Sequence, residues 1–331
     1  MTTVDVLRDA VAAADVVVPV GGRTHWEVGG PAPVDGVEVV APSGVLTYDP
    51  AELTITVGAG TTVADLDAAL GEGGQECPLD PRDPEGATVG GTLATGLSGC
   101  RRLRYGPVRD RVLEVRFVTA DGRVVKGGGP TVKNVTGYDV PRLLVGSLGT
   151  IGVITQVTLR CQPRAQRTAW YVTDADPFEI RRRLFRPSCI AWDGTTTHVL
   201  LEGHPDDVAA EAQAADLGEE GSTPPRPEGP HRGRVSVRPG VVHEVASELD
   251  TIDGMRWLAE VGVGTVHVAT DDVDGLLAAR DAATGAGGWL MREAGGNGVD
   301  GFAAIPNHDL MARIRAAFDP ERKLNPGRLP L

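Results

Sequence analysis

The sequence predicts an α+β protein built from two unlike parts, and three observations carry that reading. Val4, Leu7 and Val11 recur at helical spacing, whereas Leu53, Ile55 and Val57 alternate with threonines as on a half-buried strand. Asp121-Gly122, set between two strand-like runs at 112–120 and 123–126, is a strong two-residue hairpin signal. After Gln162-Pro163 the texture changes, and 331 residues suit about two domains of roughly 150.

Taken in order, the opening helix is followed by a compact apolar run at 16–20 that ends at Gly21-Gly22, a buried strand entering a turn. Residues 63–70 return to helical periodicity. Ile151, Val153, Val157 and Leu159 share one parity and mark a strand to Arg160. Strand-like pieces at 169–173, 190–192 and 199–202 then alternate with helix-like ones at 178–184 and 206–216. Residues 219–233, EEGSTPPRPEGPHRG, have no apolar periodicity and are expected to form a surface loop. Strands at 255–260 and 265–269 precede a helix capped by Asp271 or Asp272, and 289–293 is again strand-like. A last helix, His308–Phe318 behind Asn307, leads to Asn325-Pro326-Gly327.

Composition removes several classes of function. Hydrophobic residues are 41% and charged residues 23%, as in ordinary soluble domains, and the net charge of −13 argues against a nucleic-acid binder. No run approaches the roughly 18 apolar residues of a membrane span. Asp5 and Asp9 with a single arginine make the first fifteen residues unlike a secretory signal, so a cytoplasmic location is expected. Cys77, Cys100, Cys161 and Cys189 are widely spaced, without a CxxC or Cys/His cluster, so reduced thiols and no metal site are expected.

Three glycine-rich segments and one decoy remain. A Gly58-Ala59-Gly60 turn after a strand superficially suits a dinucleotide fingerprint, but Val63 stands where its third glycine belongs. Val20-Gly21-Gly22-Arg23-Thr24-His25 is either a plain turn or a nest of main-chain N–H groups around an anion. The second run, residues 87–99, brings Thr88, Gly90, Gly91, Thr92, Gly96, Ser98 and Gly99 together, a poor core but a good bed for a flat ligand. Arg101, Arg102, Arg104 and Arg109 follow it as a positive patch, either a ligand contact or a solvated basic loop. The third segment contains Gly137-Tyr138-Asp139 and then Gly146-Ser147-Leu148-Gly149-Thr150-Ile151-Gly152-Val153-Ile154.

This ordered set resembles the vanillyl-alcohol oxidase superfamily, in which KN-x-x-GYD and GS-x-GT-x-G motifs recur with a PxGG loop and a terminal NPG. Within it, GLSGCRRLRYGPVRDRVL, VKNVTGYDVPRLLVGSLGTIGVIT, MREAGG and DPERKLNPGRL are similar to the E-type FAD-binding subunits of bacterial glycolate oxidases. The resemblance implies a PCMH-type FAD-binding domain of two α/β subdomains over 1–165, a smaller α/β cap over 166–290, and a carboxyl-terminal return over 291–331. It implies noncovalent FAD, with residues 20–25 around the pyrophosphate. Thr88, Gly90, Gly91, Thr92, Gly96, Ser98, Gly99 and Arg101 would line the flavin. Gly137, Tyr138, Asp139 and Gly149 would belong to the same site, with Gly152, Val153 and Ile154 on the adenine side and Asn325 at the ring edge. Arg23 replaces a glycine common in relatives, and Leu148 replaces a glutamate.

The resemblance also implies oxidation of glycolate or another D-2-hydroxy acid. Such a substrate needs a cation for its carboxylate and a base for its hydroxyl proton. Arg292 is the candidate anchor; His198, His204, His243 and His267 are possible bases, and nothing in their spacing singles one out. Where the family often has AGGH, this chain has Asn297. Electrons would leave to an external acceptor. The family implies a second flavin subunit and an iron–sulfur subunit, with peripheral attachment to the inner membrane through a partner. A stand-alone flavin dehydrogenase and a non-catalytic assembly subunit stay open as alternatives.

Overall fold

The computed structural model describes residues 3–31, 33, 35–129, 139–296 and 307–329. Its first helix, Val4–Ala13, starts where the Thr3 hydroxyl accepts from the Val6 N–H, and buries Leu7 and Val11. Strand Val17–Val20 then pairs in parallel with Val37–Val40. An antiparallel five-stranded sheet follows, in the order Val45–Asp49, Thr54–Gly58, Val153–Arg160, Val112–Val118, Val124–Gly128. The hairpin turns at Gly122, whose φ of 78° is the left-handed value that such a turn requires. Ile55, Val57, Phe117 and Val157 face helix Val63–Glu72 and helix Val89–Thr95 to form the core of this amino-terminal body.

The second body is an antiparallel sheet of eight described strands. Its order is Glu220–Gly221, Arg167–Thr173, Thr197–Gly203, Cys189–Trp192, Arg256–Glu260, Thr265–Thr270, His231–Ser236, Trp289–Ala294. Helices Val242–Leu249 and Val273–Gly285 cover one part of it over Val235, Val266 and Leu290, and Asp272 caps the second helix. Helices Pro177–Arg183 and Pro205–Ala214 cover another part over Ile190, Val199 and Leu201.

One expectation is corrected here. The stretch 219–233 is not wholly loop: Glu220–Gly221 pairs with Tyr171 and Trp170, and His231–Ser236 is an interior strand between two partners. Its polar pattern misled because His231 and Arg232 point their chemistry at neighbouring loops while the backbone is paired on both sides. Residues 89–95, for which the residue pattern gave no element, form a helix that begins at a Thr88 cap. The chain returns to the amino-terminal body in residues 307–329, where Leu324 bridges Val17 and the Lys323 ammonium donates to the Val11 carbonyl at 2.7 Å.

Candidate functional site

The segments singled out by their glycines converge on one cleft. Loop 21–25 leaves strand Val17–Val20 and passes so close to residues 86–88 that a Cβ at Gly22 would lie 1.5 Å from the Gly86 carbonyl oxygen. A Cβ at Gly21 would lie 2.4 Å from the Thr88 hydroxyl. Among the described residues, none of the main-chain N–H groups of residues 21–25 donates to the protein. The helix that follows Thr88 differs: Val89, Gly90 and Gly91 N–H donate to Thr61 O, Ala59 O and the Thr88 hydroxyl. The anion-binding capacity therefore lies in the loop and not at that helix end.

Three non-glycine residues with left-handed backbone line the same cavity: Arg23 (φ 58°), Leu148 (φ 50°) and Asn325 (φ 44°). Each such conformation costs on the order of 1 kcal/mol, and they concentrate here. Arg23 takes a left-handed backbone that favours glycine, and its guanidinium is turned to Glu38 at 2.6 Å. Asn325 donates from Nδ2 to the Leu148 carbonyl at 2.6 Å, while its buried Oδ1 has no partner among the described residues. Among the described residues the buried Thr92 hydroxyl also has none. Pro19, Gly21, Thr88, Gly91 and Ala94 border both this cavity and a second one walled by Val39, Ala41, Gly90, Gly149, Gly152, Val153 and Ile154.

The cleft continues towards the second body. Thr95 and Leu148 lead into a larger space of about 1350 Å³, open to solvent. Gly96, Leu97, Ser98, Trp289 and Met291 border it, as do four arginines, Arg102, Arg109, Arg142 and Arg234, and no described carboxylate. Arg234 is buried and donates from Nη1 to the Ser98 carbonyl at 3.2 Å. The Arg102 guanidinium forms no ion pair among the described residues, and burial, then the nearby Arg234, push its pKa down. His25 borders both the first cavity and a smaller one with Arg82, Arg226, Arg234 and Glu293. Burial lowers the pKa of His25, with Glu293 opposing.

Several sequence candidates fall elsewhere. Arg101 is committed to protein carboxylates: Glu76 at 2.7 Å, Asp80 at 2.6 Å and Glu202 at 3.2 Å. Ser98 borders the larger space, but its hydroxyl accepts from the Val108 N–H, and Gly99 is packed against Asp80. Arg292 donates to the Gly29, Gly295 and Gly296 carbonyls, so its fork holds loops together and borders none of these cavities. His198 is buried in its strand, His204 caps a helix, His243 stacks on Trp192, and His267 pairs with buried Glu260 at 2.9 Å. Asp139 is exposed and caps helix Val140–Leu144. Gly137, Tyr138 and Asn297 lie outside the described residues. Arg102 and Arg234 do not stand out in the sequence as a pair, because only the fold brings residues 102 and 234 to one cavity.

Residues 2–128 match the FAD binding domain family. The chain is 39% identical over 159 residues to the glycolate oxidase subunit GlcE of Escherichia coli (strain K12), covering 48% of this chain and 45% of that one. It is 48% identical over 107 residues to a D-lactate dehydrogenase of Archaeoglobus fulgidus, 32% of this chain and 24% of that one. The chain thus spans less than half the length of these curated relatives. An alkyldihydroxyacetonephosphate synthase structure superposes with a TM-score of 0.70 at 15% identity, over 97% of this chain and 74% of that one, a likeness of fold. The glycine-forced approach at 21–22, the row of free N–H groups and the orphaned Asn325 and Thr92 oxygens fit a bound dinucleotide. The chain has the fold of that synthase structure over 97% of its length, and the match of its residues 2–128 to the FAD binding domain family supports FAD as the cofactor.

Proposed function

We propose that this chain is the FAD-binding subunit of a glycolate-oxidase-like enzyme, acting in the oxidation of glycolate or another D-2-hydroxy acid. The observation that carries the reading is the cleft running from the loop of residues 21–25 into a space bordered by Arg102 and Arg234. Bound FAD supplies a two-electron acceptor, which no amino-acid side chain provides. The N–H row of residues 21–25 would hold its diphosphate, and Asn325 and Thr92 would meet polar atoms of the cofactor. The wall of Val39, Ala41, Val153 and Ile154 would receive the adenine side.

Arg234 is a suitable carboxylate anchor because its own carbonyl contact fixes the fork before substrate arrives. Arg102, without an ion pair among the described residues and close enough to Arg234 to be repelled by it, gains most from an anion between them. Burial keeps His25 neutral near pH 7, as a proton acceptor for the hydroxyl must be. A second flavin subunit and an iron–sulfur subunit would receive the electrons, a reading supported by the likeness to a glycolate oxidase subunit. No described helix is long and apolar enough to cross a membrane, and a cytoplasmic place with peripheral attachment through a partner is part of the same proposal.

The test is to purify the protein, record its flavin spectrum with and without added FAD, and assay glycolate and D-lactate with an artificial acceptor. Flavin binding with turnover, alone or on adding the partner subunits, is the expected result. Flavin binding with no hydroxy-acid turnover in either setting would overturn the proposed activity.

A further inference from the structure

The four cysteines fall into two pairs that their sequence spacing does not announce. Cys77 and Cys161 follow directly from the register Gln75↔Pro163 and Glu76↔Gln162, which sets them opposite one another inside the amino-terminal core. Cys100 and Cys189 form the second pair, and this one joins the two bodies. Cys100 follows the glycine bed and packs on the cluster of Cys189, Ala191, Leu200 and Leu258 in the distal sheet. Independent contacts fix the same alignment. Cys189 is registered with Leu200, and two residues further along that strand the Glu202 carboxylate meets Arg101 while its carbonyl accepts from Arg104.

Exposure separates the two pairs. Cys77 and Cys161 are both buried within one core. Cys189 is fully buried, whereas Cys100 is half-buried and is the sulfur an oxidant meets first. Contact with Cys100, together with burial, pushes the Cys189 thiol up, as suits a thiol that reacts second.

We propose that hydrogen peroxide joins Cys100 and Cys189 in a disulfide that ties the amino-terminal body to the distal sheet beside the cleft. The Cys100 sulfur attacks one peroxide oxygen, the O–O bond breaks, and a sulfenic acid and one water form. The Cys189 sulfur then attacks the Cys100 sulfur, and hydroxide leaves with the Cys189 proton as a second water. Two thiols are oxidised by two electrons and one peroxide is reduced. The bond closes a loop of about ninety residues and so restricts the separation of the two bodies.

The experiment treats the purified chain with one equivalent of hydrogen peroxide, blocks remaining thiols with N-ethylmaleimide and maps peptides without reduction. The wild type is expected to lose two thiols, give a Cys100–Cys189 crosslinked peptide reversed by dithiothreitol, and melt at a higher temperature when oxidised. Cys100→Ser, at a half-exposed position, is expected to keep its three thiols and show no melting shift under the same treatment. Crosslinking through Cys77 or Cys161, a crosslink between two chains, or Cys100 stopping as a sulfinic acid would overturn the proposal. A Cys100–Cys189 bond that leaves the melting temperature unchanged would overturn the tie between the bodies.

Discussion

Arg234, on an interior strand of the distal sheet, donates from Nη1 to the carbonyl oxygen of Ser98, 3.2 Å away and 136 residues earlier in the chain. That bond does two things at once. It fastens the second body to the end of the glycine bed, and it presents a buried cation to the cavity shared with Arg102. Behind it the Glu260 carboxyl is held below its ordinary value despite burial, because His267, Arg234 and Arg226 favour its ionised form.

Replacing Arg234 should therefore separate substrate binding from flavin binding. Arg234→Ala is expected to raise KM for 2-hydroxy acids by roughly ten- to a hundredfold, the range of one charged hydrogen bond of about 1.5–3 kcal/mol. Arg234→Lys keeps the charge without the fork and should recover part of that loss. FAD titration should give the wild-type affinity for both variants. A fall in flavin affinity with unchanged KM would remove Arg234 from the substrate side of the cleft.

Gly22→Ala should act on the cofactor instead. Its Cβ would lie 1.5 Å from the Gly86 carbonyl, a backbone contact that cannot rotate away. The loop must then move off residues 86–88, taking its row of N–H groups with it. Flavin retained through gel filtration is expected to fall at least tenfold, with far-ultraviolet circular dichroism unchanged. By contrast, Gly240→Ala, where the added Cβ has open space, should retain flavin like the wild type.

Much of this cleft was legible from residue order. Glycine clusters mark places where main chain meets main chain, and 21–22 and 87–99 do meet. The alternation at 53–57 and the Asp121-Gly122 turn gave strands close to their observed bounds. What residue order could not show was pairing at a distance. Arg101 read as part of a positive patch because Glu76, Asp80 and Glu202 reach it only through the fold. Arg292 stood out by its place in a family motif, yet its three carbonyl partners come from two loops, one of them 263 residues away. Strands Val37–Val40 and Val45–Asp49 were missed because most of their residues are exposed, so no buried face imposes a pattern.

Arg101→Met tests the ion network as a fastening between the two bodies. Removing the guanidinium leaves Glu76, Asp80 and Glu202 facing one another in a setting where the Arg101 side chain is only 19% exposed. Breaking one partner of such a buried group costs about 3–5 kcal/mol. A lower denaturation midpoint is expected, together with easier proteolytic cleavage between the bodies. Adding Glu202→Gln should restore part of the loss by removing one of the stranded charges. If Arg101→Met is neutral, the network does not fasten the two bodies together.

Asp67 gives the stability a pH dependence of definite sign. On helix Val63–Glu72 its carboxyl is pushed up to about 6, first by burial and then by Asp80, with Arg101 and Arg164 opposing. An unfolded aspartate titrates near 3.9, so between about pH 4 and 6 the folded chain holds a proton that the unfolded chain has released. Stability from this group is present below that window and lost as pH rises through it. A shift of about two units corresponds to roughly 3 kcal/mol, and partial exposure with solvent screening reduces this to about 1–2 kcal/mol. Asp67→Asn should accordingly raise the melting temperature at pH 7.5 and leave it near the wild-type value at pH 4. Equal destabilisation at both pH values would mean that the ionised carboxylate is not the strained form, and that Asp67 is held by contacts an amide cannot reproduce.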